Sequence, residues 1–286
     1  MPVYNAIAND DYSRGRSDIT VSQLSKPPRA VALEKRHWGE LKDDASDRIW
    51  LLLGKAIHYI LEKNSGSGDI AELRLYTEIG GWVVGGQFDS FNVESGVLSD
   101  YKVCSVWQAI KHYRGESSEW VEQLNAYAHL LRAHGHEVKK LQIVAILRDW
   151  SKPESLRNEY YPASQVQAIE IEMWPDKEID RWLRERVAAH QLARKQLPEC
   201  SPEERWQKPD IWAIKKKGRK SAVRVLYDKE SADKLLDELG KDHSIEFRKG
   251  LSVRCSYCLI GKNGLCEQYE AIKKESDNDE GTESEV

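Results

Sequence analysis

Apolar residues fall three or four apart through residues 47–63, where Ile49, Leu52, Leu53, Ala56, Ile60 and Leu61 mark one face of a helix. The pattern changes to extended in residues 80–103, whose two runs are separated by Val93-Glu94-Ser95-Gly96, a polar cluster ending in Gly of the kind that closes a hairpin. Helical spacing returns around Trp120, Leu124, Tyr127 and Leu131, and residues 141–147 form a continuous apolar run that predicts a central buried strand. A long charged helix follows over residues 176–197, amphipathic through Ile179, Trp182, Leu183, Val187 and Leu192, with a solvated Arg-rich face. Residues 17–41 hold two short helical patterns broken at Pro27-Pro28, packed on the core or presenting their Lys and Arg to a ligand. Residues 206–226 hold two apolar runs flanking a basic tip. There is no internal repeat. The order of elements predicts a mixed α/β fold, a central sheet flanked by helices.

Side chains alternate between faces along a strand, so Leu98, Asp100, Lys102 and Cys104 share one face. Val97, Tyr101 and Val103 are expected on the other, core-facing side. If Asn92 pairs with Val97, the antiparallel register sets Asp89 opposite Asp100 and Gln87 opposite Lys102. Carboxylates crowded together resist joint ionisation unless a cation lies between them, and oxygen ligands suit Mg²⁺ or Mn²⁺. Such an ion would activate water against a phosphodiester, with Lys102 stabilising the developing charge.

Two helical positions add to this cluster. His58 would contribute an imidazole to the two carboxylates, with Gly54 one turn before it allowing close approach and Glu62 one turn after it orienting the ring. Gln123 and Tyr127 stand one turn apart on the later helix.

Taken in order, His58, Gly86-Gln87-Phe88-Asp89, Asp100-Tyr101-Lys102 and Gln123-x-x-x-Tyr127 resemble the RecB-type branch of the PD-(D/E)XK nuclease superfamily, which includes CRISPR-adaptation nucleases and phage-encoded exonucleases. The resemblance implies a restriction-endonuclease-like core. It implies His58, Asp89, Asp100 and the Val103 carbonyl as metal ligands and Lys102 as the catalytic lysine. Gln123 and Tyr127 would contact DNA, and Glu78 would be a further acid. The activity implied is Mg²⁺- or Mn²⁺-dependent hydrolysis of DNA, an exonuclease working on ends. The alternatives are an endonuclease of the same superfamily or a non-catalytic DNA-binding module. Partners would belong to recombination, replication or CRISPR adaptation.

Cys255-Ser-Tyr-Cys258 followed by Cys266 has the spacing of a metal knuckle, not of a disulfide frame. Cys200, in a Pro-rich loop, is the expected fourth ligand, with His243 and Cys104 as rivals. Relatives of this type often join a C-terminal cysteine triplet to an upstream Cys through an iron-sulfur cluster, but no Cys precedes Cys104 here. A [4Fe-4S] cluster and a Zn²⁺ site both accept four thiolates.

Formal net charge is -4, with 43 Lys and Arg against 47 acids. Six of those acids, Glu275, Asp277, Asp279, Glu280, Glu283 and Glu285, lie in the last dozen residues, so the body is weakly basic, about +2. Lys215, Lys216, Lys217, Arg219 and Lys220 form the basic hairpin tip, a candidate phosphate grip. No apolar run is long enough for a membrane span or signal peptide, which predicts a cytoplasmic protein, or one in the host cytoplasm if phage-encoded. At 286 residues the chain is expected to divide into a nuclease core (residues 1–197), a cysteine-clasped region with the basic hairpin (198–272) and a disordered acidic tail (273–286). Asp100→Ala or Lys102→Ala is expected to abolish cleavage with little effect on folding, and Cys258→Ser to impair folding.

Overall fold

The computed structural model describes residues 2–8 and 13–281, with side chains for 2–7 and 13–275. In chain order the first elements are α1 (Pro2–Ala8), β1 (Ile19–Thr20), α2 (Val21–Leu24), α3 (Pro28–Arg36), α4 (Ile49–Lys63), β2 (Asp69–Ala71), β3 (Arg74–Ile79), β4 (Trp82–Gln87), β5 (Ser90–Asn92) and β6 (Val97–Cys104). Then come α5 (Val106–Tyr113), α6 (Glu119–Ala133), β7 (Lys140–Leu147), α7 (Lys152–Arg157), β8 (Val166–Ile171) and α8 (Asp176–Lys195). The remainder is β9 (Ile211–Lys216), β10 (Arg224–Leu226), α9 (Lys229–Leu239), β11 (His243–Arg248), α10 (Val253–Tyr257), α11 (Leu259–Lys262) and α12 (Glu267–Gly281).

These form two compact units, Met1–Lys26 with Asp43–Gln196, and Pro27–Lys42 with Leu197–Val286. The segment Pro27–Lys42, assigned from sequence to the first region, therefore belongs with the second. Helix α12 continues to Gly281, so the stretch from 273 expected to be disordered is helical for nine residues; residues 282–286 lie outside the described residues.

The first unit contains a five-stranded mixed sheet in the order β2-β5-β6-β7-β8 and a three-stranded sheet in the order β1-β4-β3. Strands β6 and β7 run parallel from Val97↔Lys140 to Cys104↔Leu147, a pairing that needs a crossover connection, and α5 and α6 supply it. Ser105 and Gln108 form a reciprocal capping box that starts α5 directly after β6. On α6, Leu124, Leu130 and Leu131 are fully buried. Buried Asn125 donates to the Val121 and Glu172 carbonyls and accepts from the Trp174 N–H, tying the helix to the chain after β8. Gly86 is needed for close approach: a Cβ there would lie 2.7 Å from the Tyr127 ring and 2.8 Å from Leu130.

The hairpin turns where its sequence indicated, with Asn92↔Val97 paired and Gly96 at φ 70° closing the turn. Its first strand, however, is broken. The β5–β6 ladder ends at Ser90↔Ser99, and beyond the break β4 pairs with β3, so Gln87 lies opposite Arg74 and not Lys102. The partner strand breaks at the same level, where Glu72 has φ 51° and its N–H donates to the Asp89 carbonyl at 3.1 Å. One long bent hairpin thus feeds both sheets. The core-facing side of β6 is also the reverse of the expected one: Leu98, Asp100 and Cys104 are buried, whereas Val97, Tyr101 and Val103 are half-buried. Leu98 and Cys104 share the buried core with Leu124, Tyr127 and Leu131 of α6.

Helix α8 buries Ile179, Leu183 and Val187 as expected, while Leu192 is exposed. Its Arg face is not simply solvated. Arg186 donates to the Leu24 and Lys26 carbonyls, and Arg194 stacks over Trp82. In the second unit β9 is central in an antiparallel sheet ordered β10-β9-β11, with α9 between β10 and β11 in the chain.

Candidate active site and cysteine cavity

Helix α4 brings His58 to the open edge of β6. Its Nε2 lies 3.1 Å from the Tyr101 carbonyl, and its Nδ1 faces Asp89 Oδ1 at 3.4 Å and Glu72 Oε1 at 3.6 Å. Asp89 Oδ2 accepts the Tyr101 N–H at 2.6 Å. The broken hairpin makes this possible, because β5 pairs with β6 only from Ser90, one residue after Asp89, and leaves the Tyr101 edge free for a side chain. Val103 presents its carbonyl along that same edge, since carbonyls two apart on a strand point the same way.

Among the described residues, His58, Glu72 and Asp89 are the one group whose three ligand atoms all lie within 4.8 Å of one another. The acid that lies with His58 and Asp89 is Glu72; Glu78 is exposed on β3, opposite Val83. Glu62 does not orient His58 either, being exposed beside Lys63. A chain of side chains holds Glu72: Arg74 donates to Gln87 Oε1 at 2.7 Å, and Gln87 Nε2 donates to Glu72 Oε2 at 2.7 Å. Sequence spacing gave no sign of Glu72, which is brought in by the backbone turn at its own φ of 51°.

Asp100, 2 % exposed, is turned to Lys102, whose Nζ lies 2.5 Å from Oδ2, and so stands beside the trio and not within it. Burial pushes the Asp100 carboxyl up to about 6 against the pull of Lys102. Burial lowers Lys102, but the Asp100 and Asp89 carboxylates outweigh it and hold the amine above its ordinary value. Hydrogen bonds to Asp89 and then Glu72 raise the His58 imidazole to about 10. The donor set of two carboxylates and one imidazole fits Mg²⁺ or Mn²⁺.

Gln123 Nε2 donates to the Tyr127 hydroxyl at 3.0 Å, and the Tyr127 ring lies against Gly86 in the Gly-Gln-Phe-Asp stretch. Of the basic tip, Lys215 is paired with Glu246 across the β9–β11 ladder, while Lys216, Lys217, Arg219 and Lys220 are exposed.

Within the second unit Cys200, Cys255, Cys258 and Cys266 line one cavity together with Arg29, Gln268 and Tyr269. None of the five cysteines is in a disulfide. Gln268 clamps the Cys200 backbone, accepting from its N–H at 2.9 Å and donating to its carbonyl at 3.0 Å. The rival ligands are elsewhere: Cys104 is buried at the end of β6, its thiol pushed up to about 11 by burial, and His243 starts β11, opposite Lys216 of β9.

Asp100 and Lys102 lie on β6, beside the broken hairpin that supplies Glu72 and Asp89 and next to the parallel strand β7. Solved structures similar to this protein include the protein SSO0001, at 18 % identity and a TM-score of 0.48 over 71 % of this chain and 87 % of that one. A phage-related exonuclease from Haemophilus somnus 129PT is 15 % identical with a TM-score of 0.41, over 63 % and 94 % of the two chains. An alkaline exonuclease from Laribacter hongkongensis is 16 % identical with a TM-score of 0.37, over 62 % and 90 %. No family model and no curated protein matches the chain. Among the described residues no helix is long and apolar enough to cross a membrane.

Proposed function

We propose that this protein is a metal-dependent nuclease that hydrolyses DNA phosphodiesters and acts as an exonuclease on DNA ends. The observation that carries this reading is the convergence of His58, Glu72 and Asp89 on one point, beside the Asp100–Lys102 pair. Mg²⁺ or Mn²⁺ held there would polarise the phosphate and acidify a bound water. The chain's own residues set up the rest. The Tyr101 N–H fixes Asp89, the Arg74–Gln87 chain fixes Glu72, and Lys102 stays protonated to meet charge developing on the phosphate oxygens. Asp100 holds Lys102 in that position; that Asp100 and the Val103 carbonyl would also ligate the ion is what the resemblance implies. Gln123, Tyr127 and the cationic tip of the β9–β10 hairpin are the proposed DNA contacts.

At the cysteine cavity the proposed occupant is a [4Fe-4S] cluster. Zn²⁺ at 2.3 Å from each sulfur requires thiolates roughly 4 Å apart. Among the described residues no three cysteine sulfurs lie within 4.8 Å of one another, although all four cysteines line the cavity. A cubane cluster takes its thiolates from four separate iron corners and so at wider spacing, which favours it over zinc.

The test uses 5′- and 3′-labelled linear DNA and closed circular DNA with Mn²⁺, Mg²⁺ or EDTA. Metal-dependent loss of linear DNA alone is expected. Nicking of circles would assign an endonuclease, and binding without any turnover would overturn the enzymatic reading.

A further inference from the structure

Arg29 is the buried charge for which the nuclease site has no use. It sits in the first turn of α3, is 7 % exposed, and lines the cavity with the four cysteines. Its Nη1 donates to the Pro198 carbonyl at 3.1 Å, and its Nε is buried with no hydrogen-bond partner among the described residues. A guanidinium withdrawn from water without an anion is costly, and an unsatisfied N–H adds to that cost. The nearby carboxylate of Glu204 accepts the Ser201 N–H at 3.0 Å. Arg29 shares the cavity with the four cysteines, and its charge acts on the Cys200 thiol. Four thiols offer it no charge, whereas four thiolates around a metal-sulfur cluster carry a net negative one.

We infer that Arg29 is a positioning and charge-compensating residue for the proposed cluster, donating its Nε–H towards the cysteine sulfurs and favouring the more reduced, more negative state. This rests on the cluster reading above and goes beyond it, because it gives a cation on the Pro28–Arg36 helix control over the cluster's stability and potential. Cys200 and Arg29 are linked through the same loop: the Pro198 carbonyl that anchors the guanidinium is two residues before the ligand, so the helix and the fourth thiolate are set together. One-electron reduction adds one negative charge to the cluster, and a cation beside it stabilises that state relative to the oxidised one.

The test uses the full chain purified without oxygen, as wild type, Arg29→Lys and Arg29→Gln, with iron, zinc and acid-labile sulfide measured and a dithionite titration followed by visible absorption. Iron and sulfide in equal amounts are expected in the wild type. Arg29→Gln should hold its cluster less well in air and be reduced only at a more negative potential, with Arg29→Lys in between. If Arg29→Gln keeps the wild-type helical circular dichroism but takes up no cluster, while Arg29→Lys does, the inference is also supported. A clustered wild type whose Arg29→Gln variant shows the same cluster content and the same potential would overturn this inference alone. Zinc without sulfide in the wild type would overturn the cluster reading, and Arg29's role with it.

Discussion

At the scale of single residues, the site depends on which charges are paired. Lys102 has one carboxylate against its Nζ and a second nearby, so Lys102→Ala should reduce metal-dependent cleavage by at least about a hundredfold, the usual loss for a group that stabilises developing charge. Single-turnover rates on labelled DNA would test this; wild-type rates in the folded variant would contradict it. Asp100 is different from what its sequence context suggested. It is buried against the core and not on a solvated strand face, so Asp100→Ala should cost stability as well as activity, roughly 1–3 kcal/mol in urea melts. This is less than a fully buried pair would lose, because Lys102 is 27 % exposed and can reach water. Glu72 had no sequence signature at all. Glu72→Gln should weaken Mn²⁺ binding about ten- to a hundredfold by calorimetry, whereas Glu78→Gln should leave it unchanged.

At the scale of elements, strand β4 and helix α6 meet at Gly86. Gly86→Ala should lower stability by roughly 1–3 kcal/mol, because the new methyl would have to displace the Tyr127 ring and Leu130. Helix α8 docks on α2 through His190, 3 % exposed, whose Nε2 lies 3.3 Å from the Leu24 carbonyl. Burial, opposed by that carbonyl and aided by Arg186 and Arg194, lowers the imidazole to about 4. The unfolded chain binds this proton near its ordinary 6.5 and the folded chain does not, so the stability from neutral His190 is complete above about 6.5 and is lost as pH falls towards 4. The loss is on the order of 3 kcal/mol. Chemical melts between pH 7 and 4 should show it in the wild type and not in His190→Gln. The helices over residues 49–63, 119–133 and 176–195 could be read from periodicity; the second and third bury one apolar stripe, whereas on the first Ile49, Leu53, Ala56 and Ile60 are exposed and Leu52 and Leu61 half-buried. The break in the hairpin could not, since alternation continues through Phe88-Asp89 and only the competing strand β3 ends one ladder and starts another.

At the scale of the whole molecule, the chain forms two units, one with the cluster of carboxylates and imidazole and one with the cavity lined by four cysteines. A ligand that binds only folded protein adds RT ln(1 + [L]/Kd), about 2.7 kcal/mol at a hundred times Kd. Mn²⁺ should therefore raise the melting temperature of the wild type, and Glu72→Gln should lose most of that rise at the same concentration. Local sequence determined the helices, the Asn92↔Val97 turn, the adjacency of Asp100 and Lys102, and the cysteine spacing, because each depends on residues a few positions apart. Three things were decided by tertiary structure. The side of β6 that carries Leu98, Asp100 and Cys104 became the buried one. The bent hairpin placed Glu72 with His58 and Asp89. The Pro28–Arg36 helix brought Arg29 into the second unit, to a cavity whose cysteines lie some 170 to 240 residues further along the chain. Burial and charge pairing between distant segments are set only when the whole chain has closed, and no spacing along the sequence records them.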